Sequence, residues 1–306
     1  MKTLFRNFNN KSNFGLAINW NFHLQNKWVS AYTPYLVKAI VGEFDPIILD
    51  TQLSYTLNKN KLKYIISFEP GISAPKIKYD LTHKCKKGII YSDPHYKSKE
   101  RFEYFVNNNF DYVFSLYKSS FFKHFKGFPE EKFVHWPWAV PDKLISSHSV
   151  QVRSNEVAIF GGTKSDAYDI RNWCREQSGV TNYELSGVEN KKLDDAEFYR
   201  WLADFDAIVA AGSSNPDYDL ATPKYFEIAA AGALLIGQHC LDLHDLGFDE
   251  SNSVIFRKDN FVEKIKEYRQ CPEAYLDKRI SGRELIKKRH KLSDRMRCLH
   301  TVYFGK

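Results

Sequence analysis

The segment Asp219-Leu220-Ala221-Thr222-Pro223-Lys224-Tyr225-Phe226-Glu227 combines residue types that suit a phosphorylated sugar. It follows an apolar run, Asp206–Ala210, and enters a pattern that predicts a helix over Pro223–Ala231, with proline in its first turn and Gly232 ending it. A helix N-terminus presents unpaired N–H groups and a partial positive charge, a ready place for phosphate. Lys224 adds a full cation in that first turn, where the helix dipole alone disfavours it. An anionic ligand would account for it. Glu227 lies one turn further on, near the same face, where a carboxylate accepts hydrogen bonds from a ribose diol. Asp219 precedes the helix and is placed to accept from sugar hydroxyls. The same stretch also reads as an ordinary amphipathic helix with Tyr225, Phe226 and Ile228 in a core.

A second group of candidates lies in the first half. In "IIYSDPHYK", Asp93 and His95 come just past a strand end, and either is a residue type that takes a proton from an acceptor hydroxyl. Asp93-Pro94 also reads as a plain turn. His23 and Glu69 follow strand candidates too, and read more simply as structural or as lining a cleft. Other chemistries lack their signatures. "IFGGTKSD" does not have the G-x-x-x-x-G-K-[ST] spacing, and no G-x-G-x-x-G follows a strand. There is no G-x-S-x-G elbow. No Asp-x-Asp pair stands directly after a strand; Asp217-Tyr218-Asp219 has the spacing but belongs with the sugar-contacting segment. Neither a metal nor a permanently bound cofactor is expected.

These residues need elements to hold them. The chain of 306 residues has the length of two domains of roughly 150 residues. Short apolar runs at 14–20, 46–49, 64–67, 88–91 and 112–115 predict strands, with helices over 30–41 and 97–107. Trp136-Pro137-Trp138-Ala139-Val140-Pro141-Asp142 breaks the rhythm, since neither proline fits inside a regular element. The rhythm then restarts. Strands are predicted at 157–160, 183–186, 206–210 and 233–236, and helices at 169–177, 194–204, 223–231, 260–269 and 284–300. The expected fold is α/β, two Rossmann-like domains with parallel sheets facing across a cleft. The expected domains are 1–148 and 149–306, the second closed by the C-terminal helix. Ligands in such folds sit beyond the carboxyl ends of the strands.

Charge is unevenly placed. The net charge is +7, and residues 1–150 hold the surplus, with 21 Lys+Arg against 12 Asp+Glu. This basicity is either a solvated face or the footprint of an anionic partner, such as an acidic glycan, a nucleic acid or a membrane surface. The five cysteines are scattered, without a C-x-x-C pair, which fits a reducing cytoplasm. No apolar stretch reaches the ~18 residues of a spanning helix, and Met1–Asn7 lacks the apolar run of a signal peptide. The expected location is the cytoplasm, with the inner membrane face as a peripheral alternative.

Several segments resemble one family in order and spacing. Asp219 and Glu227 look like a D-x7-E variant of the E-x7-E motif of retaining, family-4-type GT-B glycosyltransferases. "PKYFEIAAAGALLIG" resembles the "P-[KR]-x-F-E-x-x-A-x-G-x-x-L-I" pattern of the CgeB-like branch. "SGVENKKLDDAEFYRWLADFDAIVAAGSS" is similar to the loop, helix and strand before that motif. "DYVFSLYKSSFFKHF" with "VHWPWAVPD", and "RELIKKRHKLSDRMRCLHTVY", are similar to the end of the first domain and to the closing helix. The likeness runs over roughly residues 105–304. It implies that Glu227 holds the ribose and Asp219 contacts the donor sugar. Lys224, the N–H groups near Thr222 and the turn Gly161-Gly162-Thr163 would face the diphosphate, and Gly187 and Val188 would line the nucleobase pocket. Lys164 and Arg171 are the candidate cations for the leaving diphosphate, where charge grows during transfer. Asp219 departs from the usual first glutamate, and Asn19-Trp20-Asn21 stands where a glycine pair is usual after the first strand.

The expected activity is therefore transfer of a sugar from a UDP- or GDP-sugar to an acceptor, a glycan or a modified base in DNA, in a retaining and metal-independent reaction. Two alternatives stand beside it: a non-catalytic nucleic-acid or polyanion-binding protein, and another two-domain sugar-nucleotide enzyme such as an epimerase.

Overall fold

The computed structural model describes residues 7, 10–25, 30–183 and 193–305. The chain divides into two units. One comprises Met1–Lys27, Thr33–Pro137 and Met296–Lys306; the other comprises Trp28–Tyr32 and Trp138–Arg295. The change of unit thus falls at Pro137/Trp138 rather than at 148/149, and the end of the closing helix belongs to the first unit.

The first unit is built on six strands: β1 (Phe14–Ala17), β2 (Ile47–Ile48), β3 (Tyr64–Phe68), β4 (Lys86–Tyr91), β5 (Tyr112–Ser115) and β6 (Phe133–His135). They lie in the order β2-β1-β3-β4-β5-β6, with every neighbouring pair parallel. The inner strands are almost wholly buried, as continuous apolar runs in a parallel sheet must be. A ring-rich core that includes Tyr55, Tyr79, Phe105, Phe110 and Phe121 packs against the sheet. The last helix, Leu292–Phe304, adds Tyr303, whose hydroxyl donates to Ile65 O at 2.6 Å. Gly88 in β4 leaves room for that ring. A Cβ there would come within 2.3 Å of the Tyr303 hydroxyl and 2.6 Å of Phe114 Cε2.

The second unit has five strands: β7 (Val157–Phe160), β8 (Val180–Tyr183), β9 (Ala207–Ala210), β10 (Leu234–Gln238) and β11 (Val254–Phe256). The order is β11-β10-β9-β7-β8, again all parallel. In both sheets the first strand lies between the second and the third. That is a topological switch point, and the crevice beyond its carboxyl end is where doubly wound sheets take ligands. Four helices of this unit matter below: α1 (Asp169–Arg175), α2 (Asp195–Ala203), α3 (Pro223–Ala231) and α4 (Leu276–Arg289).

Local chemistry sets the ends of these helices. Asp194 caps α2 through a capping box with Glu197, their carboxylates accepting from each other's N–H at 2.7 and 2.8 Å. α3 carries Pro223 in its first turn and stops at Gly232, whose φ of +83° is left-handed. Asp206 anchors the start of β9. Its Oδ2 accepts from the N–H of Arg153 and Ser154 at 2.6 and 2.7 Å, and its Oδ1 pairs with Arg279 at 2.9 Å.

Other details of the elements differ from what the sequence predicts. The strand expected at 183–186 is seen at Val180–Tyr183, and residues 184–192 lie outside the described ones. β6 and β11, three residues each, are too short to stand out in the sequence. The helix expected over 284–300 is broken. α4 ends at Arg289 and a new helix begins at Leu292, because Val140 takes over the backbone between them. Val140 N–H donates to His290 O at 2.8 Å, and Leu292 N–H donates to Val140 O at 2.9 Å. Among the described residues, no helix is long and apolar enough to cross a membrane.

Candidate functional site

The carboxyl edge of the second sheet gathers most of the candidates. Gly161 follows β7 directly with φ +108°. A Cβ on it would lie 2.2 Å from Lys224 Nζ and 3.3 Å from Arg171 Nη1. Lys224, from the first turn of α3, donates to Phe160 O at 2.5 Å and sits 3.8 Å from the centroid of the Phe160 ring. Arg171, buried in α1, donates from Nε to Ala211 O at 2.8 Å and from Nη1 to Gly162 O at 3.3 Å. Its guanidinium lies over the Tyr168 ring at 4.2 Å. Burial holds its pKa below the usual arginine range, with Arg175 acting in the same direction and Tyr168 opposing; it remains a cation.

Arg175, one turn along α1, completes the grip on this turn. It donates to Gly161 O at 2.5 Å and to Asn172 Oδ1 at 2.6 Å, while Asn172 Nδ2 donates to Thr163 O at 3.0 Å. Side chains thus hold the carbonyls of Phe160, Gly161, Gly162 and Thr163. A trans peptide points its N–H opposite to its C=O, so the N–H groups of Gly162, Thr163 and Lys164 face away from those partners. Lys164 itself is exposed.

The loop after β9 is fixed just as tightly. Gln238 accepts from Gly212 N–H at 2.9 Å and donates to Ser213 O at 2.8 Å. Asp169 accepts from Ser213 Oγ, Ser214 N and Ser214 Oγ at 2.7, 2.8 and 2.5 Å. Burial raises its pKa, but these hydrogen bonds outweigh burial and leave the carboxyl below its usual range. Asp219 is half-buried, and its Oδ2 accepts from Leu241 N–H at 3.1 Å. Thr222 occupies the N-cap of α3 with an extended backbone, and its side chain makes no cap hydrogen bond.

Glu227 is 3% exposed. Its Oε1 accepts from Ser30 Oγ at 2.8 Å. Ser30 belongs to Trp28–Tyr32, the stretch that the first half contributes to this unit. Burial pushes the Glu227 pKa up to about 7; Asp195 adds to the rise, while the Ser30 hydrogen bond and Lys224 oppose it. Gly187 and Val188 lie outside the described residues. Sequence reasoning singled out Gly161, Arg171 and Lys224, which the fold brings together. It missed Ser30, Arg175, Gln238 and Asp169, for which only the Arg171/Arg175 spacing of one helical turn gave a local signal.

In the first unit, Asp93 and His95 follow β4 as expected, Asp93 exposed and His95 half-buried. The structure adds Glu69, directly after β3. It accepts from Ser92 Oγ at 2.9 Å and Ser92 N–H at 3.3 Å, and lies 3.5 Å from Arg101 Nε. Ser92 Oγ is also 3.3 Å from Asp93 Oδ2. Burial and the charge of Asp93 push the Glu69 pKa up to about 7, against the pull of Ser92 and Arg101.

Comparison with known proteins decides the family. The family described as glycosyl transferase-like matches residues 147–301, just over half of the chain. The chain belongs to this glycosyl transferase-like family. Among solved structures, TarM is similar with a TM-score of 0.58 and 12% identity, over 88% of this chain and 57% of TarM; the chain thus spans under two thirds of TarM's length. TarM of S. aureus has also been solved, as a variant, with UDP and alpha-GlcNAc-glycerol. Anabaena HepE in complex with UDP-glucose is similar with a TM-score of 0.63 and 9% identity, over 94% of this chain and 98% of HepE. A glycosyltransferase from Rickettsia africae matches with a TM-score of 0.54 and 12% identity, over 88% and 87% of the two chains. The two parallel sheets are those of GT-B glycosyltransferases. No curated protein matches by sequence.

Proposed function

We propose that this member of the glycosyl transferase-like family moves a sugar from a nucleotide-sugar donor to a glycan acceptor, with the second unit holding the donor. The observation that carries this reading is the convergence of Lys224 and Arg171 on Gly161 at the switch point of the second sheet, with Glu227 buried one turn along the same helix. The N–H groups of Gly161-Gly162-Thr163 and near Thr222 receive the diphosphate, with Lys224, Arg171 and Lys164 as the surrounding cations. Glu227 accepts from the ribose diol through the oxygen that Ser30 does not hold. Asp219 contacts the donor sugar, and Gly187 and Val188 line the base. The colinear motifs favour the CgeB-like branch, and the UDP-bound structures of HepE and TarM favour a uridine donor.

In the reaction the bond between the anomeric carbon and the diphosphate oxygen breaks as the acceptor oxygen bonds to that carbon. Negative charge builds on the leaving oxygen, where the fixed cations lower the barrier. In the retaining course the acceptor's proton passes to the departing diphosphate, with no dedicated base and no metal. The first unit takes the acceptor, with Asp93, His95 and Glu69 as partners for its hydroxyls.

A thermal-shift panel of UDP, GDP and their sugars tests the donor site. A ligand at 100 times its Kd adds roughly 2.7 kcal/mol of stability. The expected result is a shift with a uridine nucleotide that Glu227→Ala removes. Absence of any shift across the panel overturns the assignment.

A further inference from the structure

Charged residues also gather at the other, amino edge of the second sheet. A cavity of about 530 Å³ opens there, lined by Lys143, Arg153, Arg200, Arg279 and Arg283, with Asp204 as the one acidic residue among its described lining. Arg153 precedes β7, Asp204 precedes β9 and Gly232, which also lines it, precedes β10. Strands of four or five residues, rising about 3.3 Å each, separate this cavity from the Gly161 turn.

Several of these cations already serve protein groups. α2 and α3 end here, and three carbonyls at their ends are already held. Arg153 Nη1 donates to Ala203 O at 2.6 Å, Arg279 Nε to Gly232 O at 2.9 Å, and Ser146 N–H to Ala230 O at 3.0 Å. Asp206 neutralises Arg279 alone. Arg283 is 9% exposed. One of its terminal nitrogens donates to His148 O, but its Nε is buried and has no hydrogen-bond acceptor among the described residues. A buried, charged donor left without an acceptor is costly, so such a group calls for an explanation. Converging guanidinium groups match the oxygens of a tetrahedral oxyanion, and the volume is that of a small-molecule site.

We propose that this cavity binds a phosphate-bearing small molecule, at a site separate from the donor edge. Its recognition element is the phosphate, held by Arg283 and Arg200 with Lys143 and Arg153 at the rim. The proposal is independent of the donor-site reading.

Calorimetric titration of the full chain with inorganic phosphate and with glucose 6-phosphate, against sodium chloride of equal ionic strength, tests it. Saturable binding of at least one of the two phosphates is expected, about tenfold weaker in Arg283→Met. The exposed substitution Arg200→Ala, which leaves the core untouched, should weaken it about threefold to tenfold. In Glu227→Ala and Lys224→Ala, which disable the donor edge, the binding that depends on Arg283 and Arg200 should persist. Tighter binding of glucose 6-phosphate would show that the cavity reads the sugar as well, and equal binding that it reads the anion alone. The proposal fails if neither phosphate binds beyond the chloride control, if Arg200→Ala binds as wild type does, or if the donor-edge variants abolish binding.

Discussion

Ser30 Oγ donates to Glu227 Oε1 at 2.8 Å across 197 positions of sequence. The bond occupies one carboxylate oxygen and holds the Glu227 pKa down against burial. A hydrogen bond is worth about 1 kcal/mol, or roughly fivefold in an equilibrium. Ser30→Ala should therefore weaken uridine diphosphate binding several-fold at pH 7 and move the midpoint of its pH profile to higher pH. Affinity should recover by pH 9, where the carboxylate is ionised without help. Titration calorimetry from pH 5.5 to 9 measures this, and an unmoved midpoint would show that Ser30 does not act through Glu227.

Glu227 also makes stability depend on pH. Its folded pKa, about 7, lies above the ordinary 4.5, so its contribution to stability is fully present below pH 4.5 and lost as pH rises through 7. The shift corresponds to a ceiling of roughly 3 kcal/mol. Glu227→Gln should match wild type in stability near pH 5 and exceed it near pH 8.5, while losing nucleotide binding. Urea unfolding at the two pH values is the measurement.

Gly161→Ala should damage both fold and site. Its φ of +108° is foreign to an alanine, and the new methyl would collide with Lys224 Nζ. Strained backbone of this kind costs of order 1–3 kcal/mol. We expect a lower Tm and nucleotide affinity weaker by tenfold or more. Gly162→Ala, whose Cβ meets only the edge of the Tyr168 ring at 3.0 Å, should be milder on both counts.

Glu69 and Asp93 make the acceptor side testable on its own. The charge of Asp93 helps raise the Glu69 pKa, so Asp93→Asn should lower it and move any dependence of transfer on Glu69 ionisation to lower pH. Asp93→Asn and Glu69→Gln should each reduce kcat for sugar transfer about tenfold while changing uridine diphosphate affinity less than twofold. An equal loss in both quantities would count against an acceptor role.

Much of this architecture is legible in the sequence because parallel sheets are buried on both faces. Strands such as Val157–Phe160 then appear as uninterrupted apolar runs between polar turns. The Pro223–Ala231 helix is readable to its ends because proline and glycine mark them. Edge strands of three residues leave no such trace. The break at His290 is invisible for another reason: neither Gly nor Pro marks it, and Val140, 150 positions earlier, creates it through the backbone. The site divides in the same way. Gly161, Arg171 and Lys224 stand where strands turn into helices, so position alone singles them out. Ser30 and Gln238 act through partners distant in sequence, and no local pattern encodes such a meeting.

The helix Leu292–Phe304 carries Tyr303 back beneath the first sheet, against Gly88 and Ile65. Residues from both sides of Trp138–Arg295 therefore build one unit. During synthesis, all of Trp138–Arg295 emerges from the ribosome before the ring that fills the gap at Gly88 has been made. Assembly should run against the order of translation, with the second sheet consolidating while the first waits, its β4 surface uncovered, for the helix Leu292–Phe304.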